Sequence, residues 1–425
     1  MAYDALVIGG RVAGSAVALL LARQGRRVLV VDRDSFPSDT LSTHYLNFTA
    51  VGLLARLGVL ADVETAGFRR LYRNRTWFED CCIEGPGGPG GTYGLAPRRD
   101  VLDSVLMVHA QRAGVEILQR TVAERLIEEG GRVAGAVLRT AEGEREIRAS
   151  VVVGADGRHS RVAEWVGAEK YLAVPAIRPV YYAYYRGITP LPQPSVEMSF
   201  GGDQIGFVFP MRPQEDCVAV EISADDFESF RRDPQASFEA RVRELPGLTE
   251  RLRDAAPEGK VQGVKGIENY FRRAYGPGWL LVGDAGYLRD PSTGMGIGDA
   301  LMQAFWAADA LGKWLDGADW DASLGGFARK RDEVMMPAYR TTIEHTRARD
   351  PSPGEAALIR TMLFSPLFAR PLLHAVPRLL SELLSPDLLE RANKVAQMFA
   401  AEGAATPAVA GTTAVATPAG VEAQR

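Results

Sequence analysis

Cysteine is scarce. Cys81, Cys82 and Cys217 are the three in 425 residues, too few for a disulfide framework, and the adjacent pair lacks metal-ligand spacing. Reduced thiols and no metal are therefore expected. Long apolar runs are also missing. The run Ala13 to Ala22 is too short for a bilayer, and the apolar stretch 361–384 is broken by prolines, arginines and a histidine, which argues against a membrane span and leaves core or lid packing, a dimer contact or a lipid-facing surface open. No charged segment followed by an apolar one opens the chain, so a cytoplasmic location is expected. A net charge of -4 and a pI near 5.9 give no electrostatic footprint for nucleic acid.

What the chain does have is length and glycine. At 425 residues with 46% hydrophobic content it exceeds one ordinary domain and buries a large core. It opens as strand, helix, strand: "DALVIGG", "AGSAVALLLARQG", "RRVLVVDRD". That order with short connections is the first unit of a doubly wound parallel sheet. From about 170 to 270 the pattern changes to alternating strands, among them "IRPVYYAYYRGI" and "IGFVFPM", which suggest an antiparallel sheet. The first pattern then returns in "GWLLVGDAGYLRDPSTGMGIGDALMQAFWAADAL". The expected fold is α/β, a Rossmann-like domain split into 1–170 and 265–345. An antiparallel β-sheet domain is inserted over 171–264. A helical C-terminal region follows over 346–400, with a disordered tail over 401–425.

Three separated glycine motifs carry the chemistry. In "VIGGRVAGSA" Gly9 and Gly14 hold their places in G-x-G-x-x-G, but Arg11 stands where the second glycine belongs. A helix N-terminus offers about half a positive charge and free N–H groups to a pyrophosphate. Asp32 ends the next strand, where a carboxylate meets a ribose 2'-hydroxyl and disfavours a 2'-phosphate, so FAD or NAD is expected. A Cβ at position 11 costs about 1–2 kcal/mol if φ must be positive. A guanidinium–phosphate contact returns about 1.5–3 kcal/mol, so side-chain contact is expected to replace backbone approach. The second motif is "VVVGADGRHS", with Asp156 and Gly157. The third is "LVGDAGYLRDPSTGMGIGDA", with Asp284 after a strand and glycines at 294, 296 and 298.

Taken together, over residues 3 to 345, the chain resembles the FAD-dependent monooxygenases of the para-hydroxybenzoate hydroxylase type, whose relatives include geranylgeranyl reductases and flavin-dependent halogenases. The resemblance implies that Gly9, Gly10, Arg11, Val12, Ala13 and Gly14 hold the FAD pyrophosphate. Asp32 takes the adenosine ribose, with Arg33 and Thr43 nearby. It sets Arg99 beside the flavin, Asp156 and Gly157 near the FAD and the nicotinamide path, and Asp284 on the ribityl chain or pyrophosphate. Pro291, Gly294, Met295, Gly296 and Ile297 would line the isoalloxazine. In this family NADH or NADPH reduces the flavin transiently, O2 adds at C4a, and the distal oxygen passes to the substrate. Arg11 departs from the family pattern, and so does "GDAGY", where Tyr287 takes a histidine's place.

His44, in a polar loop after the second strand, is either a base or hydrogen-bond partner at the site or an ordinary loop histidine. It and Pro291 are the candidate catalytic residues. In "YYAYY" alternation puts Tyr182 and Tyr184 on one strand face and Tyr181 and Tyr185 on the other. Tyr182, Tyr184, Phe207, Phe209 and Met211 are candidate substrate residues, with aromatic core as the other reading. The expected activity is monooxygenation, by hydroxylation or epoxidation, of an apolar or aromatic metabolite by a monomer or homodimer. The alternative is FAD-dependent reduction of an isoprenoid-like substrate. Halogenases of this kind carry a lysine before the Asp-Gly turn and a Trp-x-Trp-x-Ile-Pro stretch. Here no lysine precedes Lys170 and no such stretch exists. A non-catalytic flavin-binding scaffold is a third possibility.

Overall fold

The computed structural model describes residues 2–78, 81–201 and 203–347. The expected tail, the 361–384 stretch and nearly all of the expected C-terminal helices lie outside the described residues. Met1–Asp350 forms one compact unit.

The first layer is a parallel sheet. Its core strand Tyr3–Ile8 is flanked by Val28–Val31 and Gly143–Gly154. Glu116–Leu118 lies outside the former and Trp279–Leu281 outside the latter. Tyr3–Ile8, Val28–Val31, Trp279–Leu281 and the Val151–Val153 end of Gly143–Gly154 are apolar runs because both faces are covered there; Ala5, Leu6, Val7, Val30 and Val151 to Val153 are fully buried. Register sets the consequence. Ile8 pairs with Val31 and with Gly154, and Gly154 pairs with Leu281. The residues that follow, Gly9, Asp32, Ala155 and Val282, thus emerge together at one carboxyl edge. In open α/β sheets this is the edge that binds ligands.

The second layer is a seven-stranded sheet: Ala256–Val264, Val180–Arg186, Glu215–Glu221, Gln204–Arg212, Ser195–Gly201, Arg73–Phe78 and Cys81–Pro86, in that order. The last two strands come from the segment assigned by sequence to the Rossmann-like domain. Arg73–Phe78 pairs parallel with Ser195–Gly201, a long-range contact that no local pattern encodes. Tyr181 and Tyr185 face an outer cluster with Phe230 and Phe238, whereas Tyr182 and Tyr184 join the core shared with the first layer. A three-stranded sheet of Tyr287–Leu288, Asn269–Arg272 and Lys170–Val174 lies beside helix Trp320–Thr346.

Helix Val12–Arg23 packs between the sheet and helix Gly296–Leu315. Its first turn sits so close to the preceding loop that a Cβ at Gly14 would lie 1.8 Å from the Gly9 carbonyl oxygen. Gly9 has φ +104, and a Cβ there would meet the Ala155 carbonyl oxygen at 2.3 Å. Gly14→Ala is therefore expected to cost about 2–4 kcal/mol, because backbone must move. Gly52→Ala, inside helix Phe48–Arg56 with open space at its Cβ, is expected to be neutral or to gain up to about 1 kcal/mol. Thermal unfolding of the two variants beside the parent checks both signs.

Candidate FAD and substrate site

At the carboxyl edge the three motifs touch. Gly9 abuts Ala155 of the second motif, and a Cβ on Gly283 of the third would lie 2.9 Å from the Ala13 Cβ of the first. Two helices begin here, and neither has a side-chain cap: Val12–Arg23 after Arg11 and Gly296–Leu315 after Met295. Gly296 is exposed, with nothing within 4 Å of its Cβ position. Uncapped helix starts leave N–H groups unspent and concentrate positive potential. An extended ligand carrying a pyrophosphate and an electron-rich ring fits this pair of starts and the glycine cradle between them.

Arg11 does not take the expected position. Its φ is -84, so it avoids the left-handed region. Its guanidinium donates to Asp103 at 2.8 Å, to Asp34 at 3.0 Å and to Ser38 Oγ at 3.1 Å. The side chain is anchored on carboxylates and ties the 34–39 loop to helix Arg99–Arg112, leaving its backbone, not its charge, for a phosphate. Arg99 opens that helix and donates to both oxygens of the same buried Asp103, at 3.0 and 3.1 Å. Two arginines on one fully buried carboxylate make a rigid brace across the first motif.

Asp32 is buried at the end of its strand. It accepts from the Gly10 N–H at 2.6 Å and the Asp34 N–H at 2.8 Å. Burial raises its pKa and these two backbone donors oppose the rise. Arg33 is exposed, and Thr43 is half-buried in the following loop. Asp156 departs from expectation. Its carboxylate accepts from Ser160 Oγ at 2.5 Å and from the Arg161 N–H at 2.7 Å, starting the short helix Arg161–Trp165. The side chain thus serves a local cap and only the backbone faces Gly9; Gly157, at φ +77, completes the turn.

Asp284 behaves differently. Among the described residues its carboxylate has no hydrogen-bond partner, and burial pushes its pKa up to about 6 against the pull of Arg99 and Arg158. Such a group is poised for hydroxyl donors. Tyr287, three residues beyond, is buried against Phe271 and Tyr339, away from the edge.

The third motif then bends back. Asp290 caps the turn Pro291–Thr293 through the Ser292 N–H, and Gly294 adopts φ +63. A Cβ on Gly294 would lie 3.1 Å from the Tyr45 ring. Tyr45 stacks on Phe209 with ring centres 5.6 Å apart, and Phe209 stacks on Phe207 at 5.9 Å. A continuous aromatic stack therefore joins the Pro291–Gly294 turn to the second sheet. Phe207, Phe209, Met211, Tyr182 and Tyr184 share one face of that sheet, and all are buried.

His44 lies on this face, fully buried, with backbone φ +59. Its Nε2 is 2.9 Å from the Tyr184 hydroxyl, which donates to Asp39 at 3.2 Å. Burial, with Arg98 and Arg99 nearby, pushes His44 down to about 3 despite the opposing Asp39, so it is neutral at ordinary pH. Burial also raises Tyr182, Tyr184 and Cys217. Asp39, Tyr45, Asp103 and Glu221 were missed in the sequence. Tyr45 and Asp39 flank His44 in one loop, which was the available signal. Glu221 sits on the inner sheet face with no donor on either oxygen. Burial, with the Asp290 carboxyl as neighbour, raises its pKa well above normal. No local pattern announces it.

The parallel sheet, its glycine edge and the two uncapped helices define a dinucleotide-binding flavoprotein fold. A family model described as an FAD binding domain matches residues 2–342, and the chain belongs to that family. It is 25% identical over 340 residues to the 1H-pyrrole-2-carbonyl-[peptidyl-carrier protein] brominase of Pseudoalteromonas luteoviolacea, covering 75% of this chain and 79% of that one. It is 28% identical over 369 residues to the digeranylgeranylglycerophospholipid reductase of Methanosarcina mazei, covering 81% and 82%. Among solved structures, PqsL, a probable FAD-dependent monooxygenase from Pseudomonas aeruginosa, is similar in fold at TM-score 0.71 and 20% identity, over 81% of this chain and 96% of that one. The protein is an FAD-dependent oxidoreductase. No described helix is long and apolar enough to cross a membrane.

Asp284 gives a pH test. Its folded pKa of about 6 lies above the ordinary 3.8, so ionisation costs the cofactor-free fold stability as pH rises through that window. Asp284→Asn is expected to gain about 1–2 kcal/mol over the parent at pH 8, allowing for its partial exposure, and nothing at pH 4. Melting curves at both pH values check the sign, and a flavin fluorescence titration should show weaker FAD binding in the variant.

Proposed function

We propose that the chain is a monooxygenase that inserts one oxygen atom of O2 into an apolar or aromatic metabolite, by hydroxylation or epoxidation, with NADH or NADPH as transient reductant. Bound FAD supplies the electron transfer and the activation of O2. The glycine turn Gly9–Gly14 and its helix start would hold the pyrophosphate, Asp32 the ribose, and Asp284 the ribityl hydroxyls. The turn Pro291–Gly294 and the start at Met295, Gly296 and Ile297 would flank the ring and favour negative charge on it. Tyr182, Tyr184, Phe207, Phe209 and Met211 exclude water from the reacting side.

One observation supports oxygenation above the rest. The titratable groups around His44 are poor acids: His44 is neutral, and burial raises Tyr182, Tyr184 and Cys217. Such a site holds a substrate hydroxyl by neutral hydrogen bonds better than it donates a proton to a carbon–carbon double bond. Glu221 favours the other reading. A carboxyl on the same face, its pKa raised by burial and by Asp290, is suited to protonate a double bond during reduction of an isoprenoid-like substrate. Halogenation lacks comparable support, since no lysine precedes Lys170.

Turnover under 18O2 with NADPH or NADH, across a panel of phenolic and polycyclic aromatic compounds, separates these readings. Oxygenation predicts one 18O atom in the product and about a 10-fold lower kcat/KM for His44→Ala, the scale of one lost hydrogen bond to the substrate. A saturated product without 18O, formed anaerobically and lost in Glu221→Gln, establishes the reductase instead.

A further inference from the structure

We propose that Thr342 and Thr346 are positioning residues that hold the Pro291–Gly294 turn against the flavin ring, and that Thr346 also ties this turn to the second sheet. This rests on the reading that the turn flanks the ring, and it deepens that reading by naming what fixes the turn in place.

The turn lies outside any strand, so no sheet ladder sets its height. Its own bonds are few: the Gly294 N–H donates to the Pro291 carbonyl at 2.7 Å, and the Ser292 N–H to Asp290 Oδ1 at 3.0 Å. At its entry the Asp290 N–H donates to Asn269 Oδ1 at 2.7 Å. The remaining support comes from the end of helix Trp320–Thr346. Ala338, Thr342 and Thr346 recur every four residues and so form one row along that helix. Ser292 Oγ lies 2.9 Å from Thr346 Oγ1, and Thr293 Oγ1 lies 3.3 Å from Thr342 Oγ1. Two successive turn residues thus meet two successive hydroxyls of the row. Ser292, Thr342 and Thr346 are buried, so water does not compete for these contacts.

The same row reaches both flanks of the turn. Arg289, just before Asp290, donates to Thr342 Oγ1 at 2.9 Å and to the Ala338 carbonyl at 3.1 Å. Its Nε also donates at 2.8 Å to Asp299, in the first turn of helix Gly296–Leu315. On the far side, Arg178 Nε donates to the Thr346 carbonyl at 2.8 Å. That carbonyl is among the last four of its helix, which have no partner within the helix. Arg178 leads into strand Val180–Arg186, which carries Tyr182 and Tyr184. Thr346 therefore touches the turn with its hydroxyl and the second sheet with its carbonyl. An apolar row could pack as closely, but it would leave the buried Ser292 hydroxyl without this partner. The turn runs directly into the uncapped start at Gly296, whose potential fades within one helical turn. A small displacement there weakens the stabilisation of negative charge on a reduced ring.

The test uses the full chain loaded with FAD and reduced anaerobically beside a reference dye. Thr346→Val and Thr342→Val keep the side-chain shape and remove the hydroxyl. The ratio of reduced to oxidised flavin at a fixed dye poise is expected to fall about 2–5-fold in each, the range of a charge effect at a helix start. Thr346→Ser, which keeps the hydroxyl, should restore the parent ratio. Met335→Ala, on the same helix within the cluster of Phe271 and Tyr287, should lower the melting temperature without moving the ratio. Gly294→Ala strains the turn itself, at φ +63, and should move the ratio whatever holds the turn. A ratio that moves in Gly294→Ala but in neither threonine variant, or that moves equally in Met335→Ala, overturns the proposal. A ratio unmoved in every variant overturns the placement of the turn beside the ring, and the proposal with it. No substrate or O2 enters these measurements, so a failure of oxygenation is read separately.

Discussion

The site depends on one close approach. The first turn of helix Val12–Arg23 rests on the Gly9 carbonyl, with room for hydrogen but not carbon at Gly14. This contact sets the helix start at the carboxyl edge of Tyr3–Ile8. Neighbouring strands in register then bring Asp32, Ala155 and Val282 to the same line. A looser fit would move the uncapped N–H groups away from the edge, and a phosphate would lose the donors that make this end of the helix electropositive. The Arg11–Asp103–Arg99 brace stiffens the approach from the solvent side.

The brace explains how the motif accommodates an arginine. At an extended φ of -84 the residue has no left-handed conformation to avoid, and its side chain leaves the phosphate side for two carboxylates. A guanidinium at the mouth of an anion site would otherwise attract the ligand. Here its charge is matched by Asp34 and Asp103, so attraction falls to the helix start and the glycines. The same matching recurs deeper in the fold, where Arg289 and Asp299 form a buried pair behind the Pro291–Gly294 turn.

Much of this was legible in the chain. The strand–helix–strand opening, the helix Arg99–Arg112, the alternation of Tyr181 to Tyr185 and the return of the first pattern near 279 all rest on local periodicity. Pairing across long distances was not legible. Strand Arg73–Phe78, and Cys81–Pro86 paired to it, joins the second sheet through residues more than a hundred positions away. Side-chain direction was also hidden. Asp156 matches its motif in type while Arg11 and Tyr287 depart from theirs, and the three side chains turn to a cap, a brace and a packed cluster. Glu221 was invisible because its meaning lies in which face of a sheet it meets.

The central claim is that three distant segments close around a single FAD. The most direct measurement is the visible spectrum of the purified chain after incubation with FAD and removal of unbound flavin by gel filtration. The account predicts a yellow protein with one flavin per chain, its absorption bands shifted from free FAD by the aromatic surroundings of Tyr45. A colourless protein that retains its fold by circular dichroism would contradict it.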